Sequence, residues 1–296
     1  MQIHRTFIVS GIAASLSVLC GCPPPNGEIE PVGPPPPPRT IEDIVATIEA
    51  NAALLDRALW SNSVTVTARL VDEKAKEHAY NLDSSFLFSP PRCLRLDLRP
   101  GLGDQVMQIG SNDSDYWIWI EPEMGKMWWG RHRHVGKPCA ETISVRPDQL
   151  TTALGLSGLP RAGDGLIGPA RKYGRTYDVL YYLHEQPGGG YLLEREYLVE
   201  RVSPYLLRSI RFRDRLGRVS MSAFLDDYRP AWDGGPLVPH TINVIWPKDD
   251  GKFTMWIKRL RGMEAEKVNA RAFDRPTADA LPGGIERVIQ VDGDCE

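Results

Sequence analysis

Arg131-His132-Arg133-His134 is the densest run of side chains able to move a proton or hold a metal. On a strand, His132 and His134 project to one side, a pair that could begin a metal site. No third ligand stands at a clear spacing, so no metal is expected and the run reads as a solvated strand end. Hydrolase and nucleotide signatures are missing: no H-E-x-x-H, no G-x-S-x-G and no G-x-x-x-x-G-K-S/T. Gly155-Leu156-Ser157-Gly158 misses the nucleophile turn by one position, and Gly101-Leu102-Gly103 lacks a third glycine. Asp226 and Asp227 are adjacent, so on a strand they point to opposite faces and do not form an acid/base pair. Gly188-Gly189-Gly190 has no helix behind it to cradle phosphate and reads as a hairpin turn. No enzyme and no cofactor are expected.

The elements that position these residues are legible in the periodicity. Thr40 is a good N-cap, with Glu42 and Asp43 in the first turn. Ile41, Ile44, Val45, Ile48, Ala52, Leu55 and Leu59 then recur at spacings of three and four, which predicts an amphipathic helix of about five turns. After it the period becomes two. Val64, Val66, Ala68 and Leu70 share one face; so do Leu94, Leu96 and Leu98, and later Val219, Met221, Ala223 and Leu225. Such alternation predicts antiparallel strands with one buried face. Further strand-like runs lie near 77–89, 104–111, 115–121, 124–130, 176–184, 190–200, 205–213, 238–246 and 252–260, giving about a dozen strands. A short helix is predicted from Pro147 to near Gly155, followed by a Gly-rich loop to about 172. The absence of alternating strands and helices argues against a doubly wound parallel sheet.

Composition narrows the class. The chain has 296 residues, with 35 Lys and Arg against 38 Asp and Glu, a net charge of −3. That balance offers no general attraction for nucleic acid. No apolar run approaches the roughly 18 residues of a membrane-spanning helix.

Arg5 precedes an apolar run of about fourteen residues, Phe7 to Cys20, ending in Leu19-Cys20-Gly21-Cys22. This resembles a bacterial lipoprotein signal. The resemblance implies cleavage of residues 1–21, lipidation of Cys22 and stable membrane anchoring by two or more acyl chains. Pro23 in the second mature position, rather than Asp, points to the outer membrane facing the periplasm. Residues 22–39 are a Pro-rich tether that favours an extended spacer. Of the five cysteines, Cys93, Cys139 and Cys295 would remain for pairing. Cys93–Cys139 is the preferred disulfide, because Cys295 lies at a terminus expected to fray.

The order of anchor, tether, amphipathic helix and meandering strands over 40–296 resembles the LolA/LolB-like family of outer-membrane lipoprotein-sorting proteins. Three segments carry the resemblance: Pro90-Pro91-Arg92-Cys93-Leu94-Arg95-Leu96; the hairpin Ser111-Asn112-Asp113-Ser114-Asp115-Tyr116-Trp117-Ile118-Trp119-Ile120-Glu121-Pro122; and Phe273-Asp274-Arg275-Pro276 with Val288 to Val291 behind it. It implies a mainly β fold with some α, a half-open antiparallel β-barrel with helices covering its concave face. It also implies an apolar cavity for lipid or acyl groups. Pro90 stands where the family's soluble carrier has a latch arginine, so that latch is missing.

Val64, Val66, Leu94, Leu96, Trp117, Trp119, Met221 and Leu225 are the candidate cavity wall. Plain sheet core is the other reading for the aromatics, and for Trp128, Trp129, Trp246, Trp256, Met221 and Met255. Arg92, Arg95, Arg131 and Arg133 are candidates for a basic rim against anionic lipid. The expected partners are a membrane and a lipid or acylated protein. The alternative is a structural or interaction lipoprotein with a filled barrel and an envelope protein partner.

Overall fold

The capped apolar stripe forms a helix and the alternating runs form strands. The computed structural model describes residues 37–295 apart from 73, 122–123, 136, 138, 141–146, 162–164 and 187. Cys22, the signal segment and the tether up to residue 36 lie outside the described residues.

Helix α1 spans Ile41–Ala53. Thr40 Oγ1 accepts the Asp43 N–H at 3.1 Å, and the Asp43 carboxylate accepts the Thr40 N–H at 3.3 Å. This reciprocal cap satisfies two donors the helix would leave orphaned. The helix is shorter than its apolar spacing implied. Leu55 lies past its end, and Leu59 already belongs to β1 (Ala58–Val71). The alternating β-branched residues from Val64 to Thr67 favour the strand. Leu59 reaches the same core from the strand that it would have met from the helix.

The chain then runs through β2 (Glu77–Ser89), β3 (Cys93–Arg99), β4 (Met107–Ser111), β5 (Asp115–Ile120) and β6 (Lys126–Arg131). A 3-10 turn at His132–His134 and helix α2 (Pro147–Ala153) follow. The second meander is β7 (Ile167–Tyr173), β8 (Tyr177–Glu185), β9 (Tyr191–Glu200), β10 (Leu207–Arg213), β11 (Val219–Pro230), β12 (Leu237–Trp246) and β13 (Gly251–Ile257). Two short strands, β14 (Arg261–Met263) and β15 (Arg287–Gln290), come last.

The fifteen strands among the described residues belong to one open sheet, in the order β15-β6-β5-β4-β3-β2-β1-β13-β12-β11-β10-β9-β8-β7, with β14 beside β1. The β1–β13 pair joins the two meanders. Neighbours are antiparallel except β15, which runs parallel to β6. The strands beyond the expected dozen are β7, β14 and β15. β7 replaces the expected Gly-rich loop; it is an edge strand with mostly exposed residues, so it carries no apolar alternation.

The main core takes Ile44 from α1, Leu150, Ala153 and Leu154 from α2 and the residue after it, and one face of strands in both meanders. A second cluster lies on the opposite face of β5 and β6. It contains Trp117, Trp119 and Met127, with Trp129, Leu281 and Ile285 packed against them. Trp117 needs Gly110 across from it: a Cβ there would lie 2.2 Å from the indole ring. Trp117 Nε1 donates to Gln108 Oε1 at 2.8 Å, so the buried indole keeps its hydrogen bond.

The segment after β14 covers this outer face like a strap. Arg95 donates to the Ala272 carbonyl at 3.2 Å, and Asn112 donates to the Phe273 carbonyl at 3.1 Å. Arg275 pairs with Asp115 at 3.1 Å, its guanidinium 3.8 Å from the centre of a Trp129 ring. Cys139 is bonded to Cys295, and Cys93 is free. The expected Cys93–Cys139 pair is thereby corrected. The chain end does not fray, because β15 and the buried Asp292 hold it beside β6.

Candidate functional site

The most apolar opening among the clefts described lies beneath α1. The face of α1 that carries Ile48 and Ala52, with Leu55 beyond it, meets the 155–159 segment that follows α2. Leu206, Leu207, Leu237 and Val238 form the opposite wall. The void measures about 80 Å³. A water occupies about 30 Å³ of liquid, so the cleft as it stands holds two or three small groups. Drug-sized ligand pockets begin near 300 Å³.

The roof is fastened by side chains bonded to backbone. Asn51 donates to the Leu237 carbonyl at 2.9 Å, and its amide oxygen accepts the Leu237 N–H at 2.8 Å. Glu49 accepts the Leu159 N–H at 2.7 Å. At the other end of α1, Arg39 donates to the Asp43 carbonyl at 2.7 Å and stacks 3.8 Å from the Tyr205 ring centre. Arg171 of β7, paired with buried Asp178 at 2.7 Å, donates to the Arg39 carbonyl. Gly155 has φ +70°, and a Cβ there would lie 2.6 Å from a Leu225 methyl, so glycine is required at this bend.

Tyr228 lies in the wall and His240 beside it. Tyr228 donates to the Leu207 carbonyl, and burial pushes its hydroxyl well above the usual tyrosine range. His240 lies near the Val238 carbonyl (Nδ1 to O 3.1 Å), and burial holds its pKa below the ordinary histidine value. Ser157 Oγ is buried in the wall and has no hydrogen-bond partner among the described residues. These groups offer a donor and apolar surface, with no nucleophile–base pair.

The candidate cavity residues fall into two places. Val64, Val66, Leu94, Leu96, Met221 and Leu225 are buried in the main core. Trp117 and Trp119 belong to the second cluster, because Ile118 and Ile120 take the core face of β5. None of the eight lines the cleft. Ile48, Ala52 and Leu55 do, and their helical stripe was visible in the sequence. Leu207, Tyr228 and Val238 carried no signal, because which strands meet α1 is set by sheet order.

The basic candidates differ in their surroundings. Arg95 is bonded to Asp97 at 2.8 Å as well as to the strap. The Arg131 guanidinium lies 6.0 Å from the centre of a Trp129 ring, and its backbone N–H donates to Asp292 at 2.9 Å. Arg133 donates to His134 Nε2 at 3.2 Å, while Arg92 is exposed beside Cys93. His134 is buried, its Nδ1 2.7 Å from Asp292, and is not the solvated strand end expected. With Nε2 accepting from Arg133, Nδ1 carries the proton toward the carboxylate. Hydrogen bonds to Arg131, Gln290 and His134 hold Asp292 below its usual pKa against the opposing effect of burial. His132 Nε2 lies 3.1 Å from Ser111 Oγ and 3.0 Å from the Asn112 carbonyl. No group of three or more potential metal ligands occurs among the described residues. Burial chiefly, with Asp113 nearby, raises the Cys93 thiol pKa, which disfavours a reactive thiolate.

No family model matches the chain, and no curated protein matches it. Solved structures do. A LolA superfamily protein from Nitrosomonas europaea aligns over 82% of this chain and 100% of its own, at 13% identity and a TM-score of 0.48. A DUF1329 family protein from Desulfovibrio piger aligns over 79% and 97%, at 9% identity and 0.48. A domain described as outer-membrane lipoprotein-sorting, from Vibrio parahaemolyticus, aligns over 79% and 97%, at 10% identity and 0.46. The likeness is one of fold.

Proposed function

We propose that this protein is a cell-envelope lipoprotein that binds an acyl chain beneath α1. In this reading Cys22 anchors it to the outer membrane, and residues 22–39 hold the domain off the surface on its periplasmic side. The open sheet acts as a half-barrel whose covering helices admit a lipid or acylated protein. It is a binding protein and not an enzyme. The observation that carries the reading is an apolar cleft roofed by a helix whose fastenings are side-chain hydrogen bonds. Each such bond contributes only about 0.5–1.5 kcal/mol net. Each methylene that leaves water for the cleft contributes about 0.8 kcal/mol. A chain of a dozen carbons can therefore offset the loss of the Asn51 and Glu49 bonds and the about 1.5–3 kcal/mol from exposing Ile44 as the roof lifts. The unpartnered Ser157 hydroxyl gives an acyl carbonyl a donor.

A void of about 80 Å³ favours a second reading, a filled barrel that docks an envelope protein and takes no lipid. Titration with a fluorescent fatty acid separates the two. The wild-type chain is expected to bind saturably, and Ala52→Trp, which fills the cleft from the helix side, is expected to bind at least tenfold more weakly with its melting temperature kept. No saturable binding by the wild type would leave the filled barrel standing.

A further inference from the structure

The register of β1 against β2 shifts between Ser61 and Val64. On the other side of β1, β13 pairs only up to Val64, and β14 resumes the pairing at Trp60. Past one more backbone bond, from the Lys258 N–H to the Ser63 carbonyl at 2.9 Å, the two segments part and leave a cleft of about 300 Å³, lined by Trp60, Ser61, Asn62, Ser63, Arg259 and Arg261. Bulges of this kind re-aim side chains and are common beside binding sites.

Arg259 and Arg261 bring two positive charges to one cleft. Neither side chain has an ion pair or hydrogen bond among the described residues. The nearest acidic residue along the chain, Glu264, faces Arg57 at 3.4 Å. Several other arginines of the sheet are matched: Arg171 with Asp178, Arg208 with Glu200 and Asp226, Arg213 with Glu196. Two like charges in one cleft repel unless an anion lies between them. The other lining groups are donors. Ser61 Oγ accepts the Ser63 N–H at 3.1 Å, which leaves its own O–H to donate, and Asn62 is exposed beside it. Guanidinium groups match phosphate oxygens in charge and in fork geometry.

We propose that the cleft at the β1 bulge binds a phosphate-class oxyanion, held by Arg259 and Arg261 with Ser61 and Asn62 as further donors. None of these residues borders the cleft beneath α1, so the inference does not rest on the acyl reading. Two sources supply such an anion, a free phosphate or a phospholipid headgroup.

The test uses the purified full chain and two probes: inorganic phosphate, followed by calorimetry, and phosphatidylcholine vesicles with and without phosphatidylglycerol, followed by co-sedimentation. Saturable phosphate binding is expected, weakened about tenfold or more by Arg259→Ala and again by Arg261→Ala. Both arginines are exposed, so melting temperatures should not change. Binding of phosphate alone assigns the site to a soluble anion. Vesicle binding that requires phosphatidylglycerol and is lost in the same variants assigns it to a headgroup. The proposal is overturned if neither probe binds, if the double variant binds as the wild type does, or if the control Arg99→Ala weakens binding equally.

Discussion

Two covers lie on this sheet, and they are attached by different chemistry. The strap over β3–β6 adds a strand to β6, buries Trp117 and Trp119, and ends in the Cys139–Cys295 disulfide. Helix α1 beside β10–β12 adds no strand; the Asn51 and Glu49 bonds, the Arg39–Tyr205 stack and the burial of Ile44 hold it. Backbone pairing and a covalent bond make a cover permanent. On the proposed reading, a few side-chain bonds and one buried isoleucine beside a small void make a cover that lifts. Local openings in proteins draw on such weakly held elements.

The strap side should break hardest. Trp117→Ala removes a side chain with 0% exposure and leaves the space between Gly110 and the strap. A loss of about 3–5 kcal/mol in chemical unfolding is expected. Cys295→Ala opens a link between residues 156 apart in sequence. It should cost about 2–5 kcal/mol, because the unfolded chain regains the entropy the crosslink removed. A reducing agent should lower the wild-type melting temperature to that of the variant and leave the variant unchanged. If the strap is no more securely held than α1, neither change will exceed the next.

Asn51→Ala sharpens the contrast from the other side. It removes both bonds to Leu237 and should cost about 1–3 kcal/mol. Fatty-acid uptake should become faster, read by stopped-flow fluorescence, with exchange in β3–β6 unchanged. The smallest effect is one of pH. Burial holds the folded-state pKa of His240 below the ordinary value of about 6.5. The unfolded chain therefore takes up the proton first as pH falls. Stability from this group is present above about pH 6.5 and lost progressively below it. His240→Gln should flatten the fall in melting temperature between neutral pH and pH 5.

Most of the sheet was legible because one face is buried and the other is wet, so polarity alternates with the pleat. The same rule failed where both faces are buried. In β5, Tyr116 to Ile120 are all apolar, and alternation cannot tell which face meets the core. Trp117 and Trp119 went to the strap and Ile118 and Ile120 to the core. The end of α1 is not legible, because Leu55 and Leu59 continue the helical spacing while Leu59 reaches the core from β1. Cys295 sits at a terminus, where sequence alone suggests fraying, yet β15 and the bonds of Asp292 hold that end in place. The cleft was half legible: α1 shows its stripe, but Leu207, Tyr228 and Val238 meet it only because β10, β11 and β12 adjoin.

Amide hydrogen exchange of the full chain, with and without a saturating long-chain fatty acid, tests the removable roof most directly. Free, the amides of α1 and of 154–159 should exchange well before those of β3–β6 and β15. With fatty acid, the changes should be confined to α1, 154–159, 205–207 and 236–238. Protection of α1 equal to that of β3–β6, with no change in any of these segments on adding fatty acid, would contradict a roof that lifts to admit an acyl chain.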